Sequence, residues 1–454
     1  MTRTRKRKSG GRLRVPGQFE AQACIYLAYP SNGSSVPAKK MRPYTDLPTI
    51  QSIQASIIAK AHNVVRVVLI VSSMEELRRF VRDYRPILKG SHFYYYVIKH
   101  CDIWIRDTGM EFLCGRSRQV LVDHNFTLWG YREAKIRGSW KNCDIPNKIP
   151  RAVARLQGIP VESFVGRYAA EGGNRSFNGR GVCIANVAVE LQRNAPMSLS
   201  EIESYLLRAY RLKKIIWLVA GVKDDDMTNF GPMAISGGGQ KTYTAIGTGG
   251  HTDELCRFVG PSTVVLAGLG GDYMKKYGYI PSQIVVEGEA RCAVDYNILK
   301  RHKVGGRHLT IARLPLPEVA LLEVGKGDGI YSLIQQVAAT PVKGRVKIAP
   351  ASSYVNFLVT NKQVFVPAFS RGCKLPGVRA KLEKTDEMAR RTFRRLFPKR
   401  EIIQINNMAY NVGGGGFNCT YSSQPLEGFK PTQEPRTSIS VGEAPHGDRW
   451  GEES

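Results

Sequence analysis

Four short stretches of this chain set ionisable or nucleophilic residues beside glycines. They are 102–109, which holds Trp104, Arg106, Asp107 and Gly109; 171–174, which begins with Glu171; 250–254, which holds His251 and Asp253; and 413–419, a Gly-rich run that ends in Cys419. Each alone has a plain structural explanation. Asp107 could cap a turn, Glu171 could sit on a surface loop, His251 could be a core histidine and Cys419 a buried thiol. Together they hold the parts for nucleophilic attack on a planar, cationic carbon. A thiolate supplies the nucleophile. A histidine moves protons near neutral pH. Two carboxylates can grip a guanidinium, whose planar donor fork suits bidentate contacts. A further carboxylate can orient the histidine. Serine acyl transfer would want a G-x-S-x-G elbow, which the chain lacks.

Other patterns carry less chemistry. Gly268-Leu269-Gly270-Gly271 follows an apolar strand but lacks the third glycine of a dinucleotide fingerprint at its proper offset. The stretch 237–242 lacks the adjacent Gly-Lys pair of a phosphate loop. Both are expected to be turns. His251 and Asp253 could form a metal pair, but metal sites want three or four ligands and no H-E-x-x-H is present.

The elements that must position these residues alternate in type. Cys24–Tyr29, Val64–Val71, Phe93–Ile98, Ile215–Val219, Val264–Ala267 and Glu401–Ile405 have the β-branched and apolar content of buried strands. Tyr354–Val359 and Val364–Val366 look like a hairpin. Helical spacing marks 47–62, Met74–Tyr84 after Ser73, a helix after the Ser198/Glu201 capping box, and Arg379–Phe397. This alternation predicts an α/β chain. Residues 1–15 are expected to be a disordered basic arm and 427–454 a disordered tail, with 16–426 as a single domain between them.

At 454 residues the chain is long enough for one large domain or a few smaller ones, at roughly 100–200 residues each. Its hydrophobic fraction of 43% supports a substantial core. No apolar run approaches the ~18–20 residues of a membrane span, and the basic N-terminus does not lead into a signal-like apolar segment. Nine cysteines without a CxxC pair fit free thiols in a reducing compartment rather than a disulfide scaffold. A cytoplasmic location is therefore expected, with a nuclear one open because of the basic run Arg3–Lys8. The formal net charge of +28 suggests an anionic partner such as nucleic acid, and residues 1–14 carry seven Lys/Arg and no acid.

The ordered set of motifs resembles the agmatine deiminases and bacterial-type peptidylarginine deiminases of the guanidine-modifying superfamily. It runs from Gly17–Glu20 and Tyr29-Pro30 through Trp104–Gly109, Phe126–Gly130 and Glu171–Gly173. It continues through Ile216–Leu218, Gly250–Asp253, Arg257–Val259, Ser353–Phe357 and Phe397–Glu401 to the loop of Cys419 and Gln424-Pro425. The resemblance implies a pseudo-five-fold α/β propeller of ββαβ units around a central site. It implies that Cys419 is the nucleophile, His251 the proton carrier, Asp107 and Asp253 the guanidinium clamps, and Glu171 the residue that orients His251. Trp104, Arg106 and Trp129 are expected to contact the substrate. No metal and no organic cofactor is implied. The expected reaction converts agmatine to N-carbamoylputrescine and ammonia. Deimination of free or peptidyl arginine, and a basic binding protein that has lost activity, stand as alternatives. The expected partners are a small cationic guanidine, an anionic contact through the basic arm, and a second copy in a homo-oligomer.

The chain departs from the family pattern around these positions. Met110 stands where Pro is usual, Gly416 where Asn is usual, and Asn418 where His usually precedes the nucleophile. Gly249-Gly250 replaces the common Asp-Gly before His251, and Lys141 follows Trp140 where an acid is common. About twenty residues appear inserted within 222–247, as a lid or a spacer.

Overall fold

The computed structural model describes residues 12–31, 48–100, 102–131, 148–234, 241–430 and 438–442. Lys141, most of the basic arm and part of the 222–247 insertion lie outside them.

Among the described residues one arrangement recurs five times. A pair of adjacent antiparallel strands is followed by helix, and the chain then returns parallel to the second strand. Glu111–Gly115 and Arg118–Asp123 pair antiparallel, helix Ile149–Gln157 follows, and Val161–Ser163 lies parallel. Arg175–Phe177 and Val182–Asn186 are joined in the same way by Lys214–Leu218, after helices Val187–Arg193 and Leu199–Ala209. Cys256–Phe258 and Thr263–Ala267 precede helix Gln283–Leu299 and strand Thr310–Leu314. Leu358–Val359 and Gln363–Pro367 precede helix Pro376–Leu396 and strand Glu401–Ile405. The remaining sheet closes the chain on itself. Its antiparallel pair is Tyr421–Pro425 with Gln22–Ala28, and Arg66–Val71 returns parallel after helix Ile50–Ala61. His92–Val97 extends that sheet.

The strands read as apolar runs because both faces are covered. All seven residues of Gln22–Ala28 are buried. The Ser198 and Glu201 capping box closes reciprocally, with the Ser198 hydroxyl accepting from the Glu201 N–H and the Glu201 carboxylate accepting from the Ser198 N–H. The glycine run at 268–271 is a turn whose Leu269 and Gly270 N–H groups end on Glu289.

Three expectations need correction. Residues 354–357 are not strand; they form a turn before the short strand Leu358–Val359. The described end of the basic arm is built into the fold: Arg14 bridges to Cys114 through the backbone and forms ion pairs with Glu20 and Glu427. The C-terminal segment is not wholly without structure, because Ser438–Ser440 adds an antiparallel strand to His92–Val97. Part of the insertion contributes Thr242–Thr244, which pairs parallel with Val346–Ala349 in a separate three-stranded sheet. No helix among the described residues is long and apolar enough to cross a membrane.

Candidate active site

The residues with chemistry sit at equivalent places in the repeat. Asp107, Glu171, Asp253, Asn356 and Cys419 each lie in the turn or short helical segment just before the first strand of one unit, at 111, 175, 256, 358 and 421 respectively; Asp253 is in the helix Thr252–Leu255. Repetition of the unit thus brings residues far apart in sequence to one end of their sheets.

They form a buried cluster. Cys419 Sγ lies 3.6 Å from Asp253 Oδ2 and 4.0 Å from Glu254 Oε1. His251 Nε2 is 2.7 Å from Glu171 Oε2, and its Nδ1 is 3.8 Å from Asp107 Oδ1. Asp107 Oδ1 also accepts from the Gly173 N–H at 2.7 Å, and its Oδ2 accepts from Trp129 Nε1 at 2.8 Å. Glu171 is held from the other side by Arg193, whose Nε donates to Oε1 at 2.8 Å. His251 Nδ1, Asp253 Oδ1 and Glu254 Oε2 are buried and have no hydrogen-bond partner among the described residues.

Close backbone approach makes this packing feasible. A Cβ on Gly415 would lie 2.8 Å from Trp104 Cζ3 and 3.0 Å from Cys419 Sγ, so only glycine lets ring and thiol flank the same point. Trp129 and Leu128 have φ of 54° and 53°. Such left-handed backbone in bulky residues is strained, and here it accompanies the Trp129 contact to Asp107.

The electrostatics follow from burial and mutual proximity. Burial opposes charging His251, but Asp107 and Glu171 outweigh it and raise the imidazole to about 9. Burial also opposes the charge on Glu171, yet Arg193 and His251 hold it down to about 2. Asp107 is raised to about 6 by burial, against the attraction of His251. The Cys419 thiol is pushed well above its ordinary range by burial and by Asp253, Glu254 and Asp107. Burial and Asp253 likewise raise Glu254.

Two residues expected at the substrate make protein contacts. Trp129 gives its N–H to Asp107. Arg106 Nε donates to the Asn418 carbonyl at 3.3 Å, its guanidinium lies 4.9 Å over the Tyr421 ring, and its backbone N–H donates to the Cys419 carbonyl. Arg106 therefore braces the Cys419 loop. Both side chains therefore stand against the groups that hold the reacting residues, and Arg106 Nη2 is buried without a hydrogen-bond partner among the described residues.

The departing residues have defined surroundings, though nothing in the structure explains Met110 in place of Pro. Gly416 faces Asn356, whose Oδ1 would lie 2.7 Å from a Cβ there. Asn418 Nδ2 donates to Asp253 Oδ2 at 2.7 Å, and its Oδ1 accepts from Gln18. The buried Met110 uses its carbonyl to accept from Ser422.

Asn356 and Glu254 carry no assigned role in the sequence reading. Asn356 Nδ2 reaches both Cys419 Sγ at 3.0 Å and Glu254 Oε1 at 2.7 Å, while its Oδ1 accepts from the Asn418 N–H at 2.6 Å. The available signal was positional: Asn356 precedes the first strand of its unit as Cys419 does. Among the described residues, Asp253, Glu254 and Cys419 are the group whose ligand atoms lie close enough, within 4.8 Å, to hold a metal ion. His251 is not in that group and points instead to Glu171.

Relatives with this organisation are numerous. The agmatine deiminases of Pseudomonas fluorescens SBW25 and Stutzerimonas stutzeri A1501 are 27% and 26% identical, each over 71% of this chain and 74% of their own. The agmatine deiminase structure from Enterococcus faecalis superposes with a TM-score of 0.67 at 20% identity, covering 93% of this chain and 99% of that one. That from C. jejuni gives 0.57 at 17% identity, covering 93% and 98%. Residues 14–231 and 237–425 match the family described as Porphyromonas-type peptidyl-arginine deiminase. With nearly its whole described length matched, this mixed α/β chain belongs to that family and is homologous to the agmatine and peptidylarginine deiminases, hydrolases of guanidino C–N bonds.

Proposed function

We propose that the protein is an agmatine-deiminase-like hydrolase. It would convert a small alkylguanidine, agmatine, to its ureido product with release of ammonia. One observation carries this reading. A buried thiol stands among the carboxyls of Asp107, Glu171, Asp253 and Glu254, and two of those carboxyls present unpartnered oxygens. Buried carboxyl oxygens without partners, in a cluster of acids without a matching cation, are costly. A planar cation with several N–H donors is the ligand that offsets them.

The chemistry then runs on this chain's own groups. Asp107 and Asp253 hold the guanidinium and orient its carbon toward Sγ. The substrate's positive charge counters the carboxylates that keep the thiol protonated, so binding favours the thiolate and the thiol proton is released to solvent. Sulfur attacks the guanidinium carbon, an S–C bond forms, and the carbon becomes tetrahedral. The His251 imidazolium gives its proton to an amino group, which leaves as ammonia as the C–N bond breaks. This step gives a thiouronium on Cys419. Neutral His251 then takes one proton from water, the hydroxyl oxygen bonds to the carbon, and the S–C bond breaks as the remaining hydroxyl proton passes to the released ammonia, giving ammonium. The thiolate and imidazolium return, and the product is the urea. Glu171 fixes the His251 ring, and Trp104 lines the path beside the thiol. General acid–base catalysis of this kind typically gives about 10²–10⁴-fold.

The recurrent units fit a pseudo-five-fold propeller with the site on its axis, which we adopt as the architecture. A reducing, cytoplasmic setting agrees with the buried free thiols. The family description keeps a second reading in play, in which the guanidine belongs to free or peptidyl arginine. The test is incubation of the purified protein with agmatine, free arginine and a peptide ending in arginine, measuring ammonia and ureido product. Agmatine turnover that disappears in Cys419→Ser supports the proposal. Preference for the peptide transfers it to the second reading. No turnover on any guanidine, or unchanged turnover in Cys419→Ser, overturns both.

A further inference from the structure

The loop that carries His251 is tied to a single residue. Asp225 Oδ1 accepts from the Thr248 N–H at 2.6 Å. Its Oδ2 accepts from the Thr248 hydroxyl at 2.6 Å, the Gly250 N–H at 3.1 Å and the His251 N–H at 2.9 Å. Its main-chain carbonyl accepts from the Gly249 N–H at 2.9 Å. Four consecutive backbone donors, 248–251, therefore end on one aspartate, which is fully buried. A run of amides turned inward in this way is an anion-binding nest, and here the anion is a side chain.

The local sequence is built for it. Gly249 and Gly250 have φ of +85° and +105°, a conformation in which a Cβ would be strained. Gly250 is also packed closely, since a Cβ on Gly221 would lie 2.5 Å from its Cα. The neighbours of Asp225 face elsewhere. Asp224 Oδ2 accepts from the Ser352 N–H, and Asp226 pairs with Arg291 and Lys223.

We propose that Asp225 is a positioning residue for His251, setting the height and direction of the imidazole through the backbone of 248–251. The inference rests on reading His251 as the proton carrier. It also gives the insertion a defined start: the chain leaves at Asp225 and returns at Thr248, and these two residues are bonded to each other. The charged groups around His251 are Glu171 at Nε2, Asp107 facing Nδ1, Asp253 two residues on, and Asp225 beneath its N–H, with Arg193 behind Glu171. Asp225→Asn removes one negative charge and offers an NH₂ group to donors that need an acceptor. The ring should then lose its register with Glu171 and bind its proton less tightly.

The experiment compares the full-length protein with Asp225→Asn, using Asp226→Asn as the control at the adjacent, partly exposed ion pair. NMR of ring-labelled histidine, assigned with His251→Gln, gives the titration of His251 whether or not the protein turns over. The proposal expects the His251 midpoint to fall by at least half a pH unit in Asp225→Asn. It also expects kcat for the guanidine substrate to fall at least tenfold, KM to change less than threefold, and Asp226→Asn to match the parent. An unchanged His251 titration overturns the proposal, even with lowered kcat, because the role is then structural only. Should Asp225→Asn fail to fold, amide exchange in the parent protein decides. Protection of 248–251 equal to that of the central strands supports the nest, and exchange at loop rates overturns it. Absence of guanidine turnover in the parent would remove the functional reading and leave the titration result standing.

Discussion

The side-chain amide of Asn356 lies 3.0 Å from the sulfur of Cys419. The same NH₂ group donates to Glu254, and the amide oxygen accepts from the backbone of the Cys419 loop. One side chain therefore fixes the loop and supplies a donor to the sulfur. A hydrogen bond to a charged group is worth about 1.5–3 kcal/mol, and each ~1.4 kcal/mol is tenfold in rate. Asn356→Ala should lower kcat roughly 10- to 100-fold on this basis. Alkylation of Cys419 by iodoacetamide should slow in parallel, since the thiolate loses a side-chain donor. A variant that keeps both rates would remove Asn356 from any role in activating the thiol.

The pH dependence follows from two groups. Asp107 must be ionised to hold a cation, and it is raised to about 6. His251 must be protonated to release ammonia, and it is raised to about 9. Activity should therefore rise as pH climbs through about 6 and fall as it passes about 9. Replacing Asp107 with Asn should remove the acid limb together with most of the turnover. A profile flat from 5 to 10 would contradict these assignments.

Much of this site was legible in the sequence because its residues announce themselves. Cys419, His251 and Asp107 sit beside glycines that need close approach or positive φ, and those glycines mark the turns. The alternation of strands and helices was legible too, since buried strands such as Arg66–Val71 are continuous apolar runs. Asn356 was less visible. It sits in an apolar stretch that passes for strand, and only the recurrence of the unit identifies 354–357 as a turn. The surroundings of Arg106 and Trp129 were hidden for a different reason: residue type indicates that a side chain can bind a substrate, but not which protein groups it also meets, here the Asn418 carbonyl and the Asp107 carboxylate. Asp225 was hidden because the residues it holds lie more than twenty positions later.

The Glu171–Arg193 pair sets a stability prediction. Both side chains are about 1% exposed, and Arg193 Nη2 also donates to the Thr248 carbonyl at 2.7 Å. Removing one partner of a buried pair typically costs about 3–5 kcal/mol because the other charge is left uncompensated. Arg193→Met should lower the unfolding free energy, read from denaturant titration, by about 3–5 kcal/mol. Glu171 is held down to about 2, below its usual 4.5. Its contribution is thus full above about 4.5 and is lost as pH falls toward 2. The destabilisation in Arg193→Met should accordingly shrink on acidification. Equal destabilisation at pH 7 and pH 2 would assign the loss to packing instead.

Gly173 offers the sharpest steric test. Its N–H donates to Asp107, and a Cβ at this position would sit 2.8 Å from Asp107 Oδ1 and closer still to His251 Nδ1. No real Cβ tolerates such contacts, so Gly173→Ala must push the imidazole and the carboxylate apart. Both are fixed on their far sides, His251 by Glu171 and Asp107 by Trp129. The strain therefore falls on the 3.8 Å gap between them. A displacement of about 1 Å at a reacting centre can cost about 10²-fold in rate. Gly173→Ala should lower kcat/KM by at least that order, whereas Gly377→Ala, at a helical position with nothing within 4 Å, should leave it near the parent value. The change should weaken the coupling between the two groups as well, moving the alkaline limb of the pH profile downward as His251 loses the charge of Asp107. Parent-like turnover in Gly173→Ala would mean that His251 and Asp107 need not be neighbours for the reaction, and the proposed division of labour between them would fail.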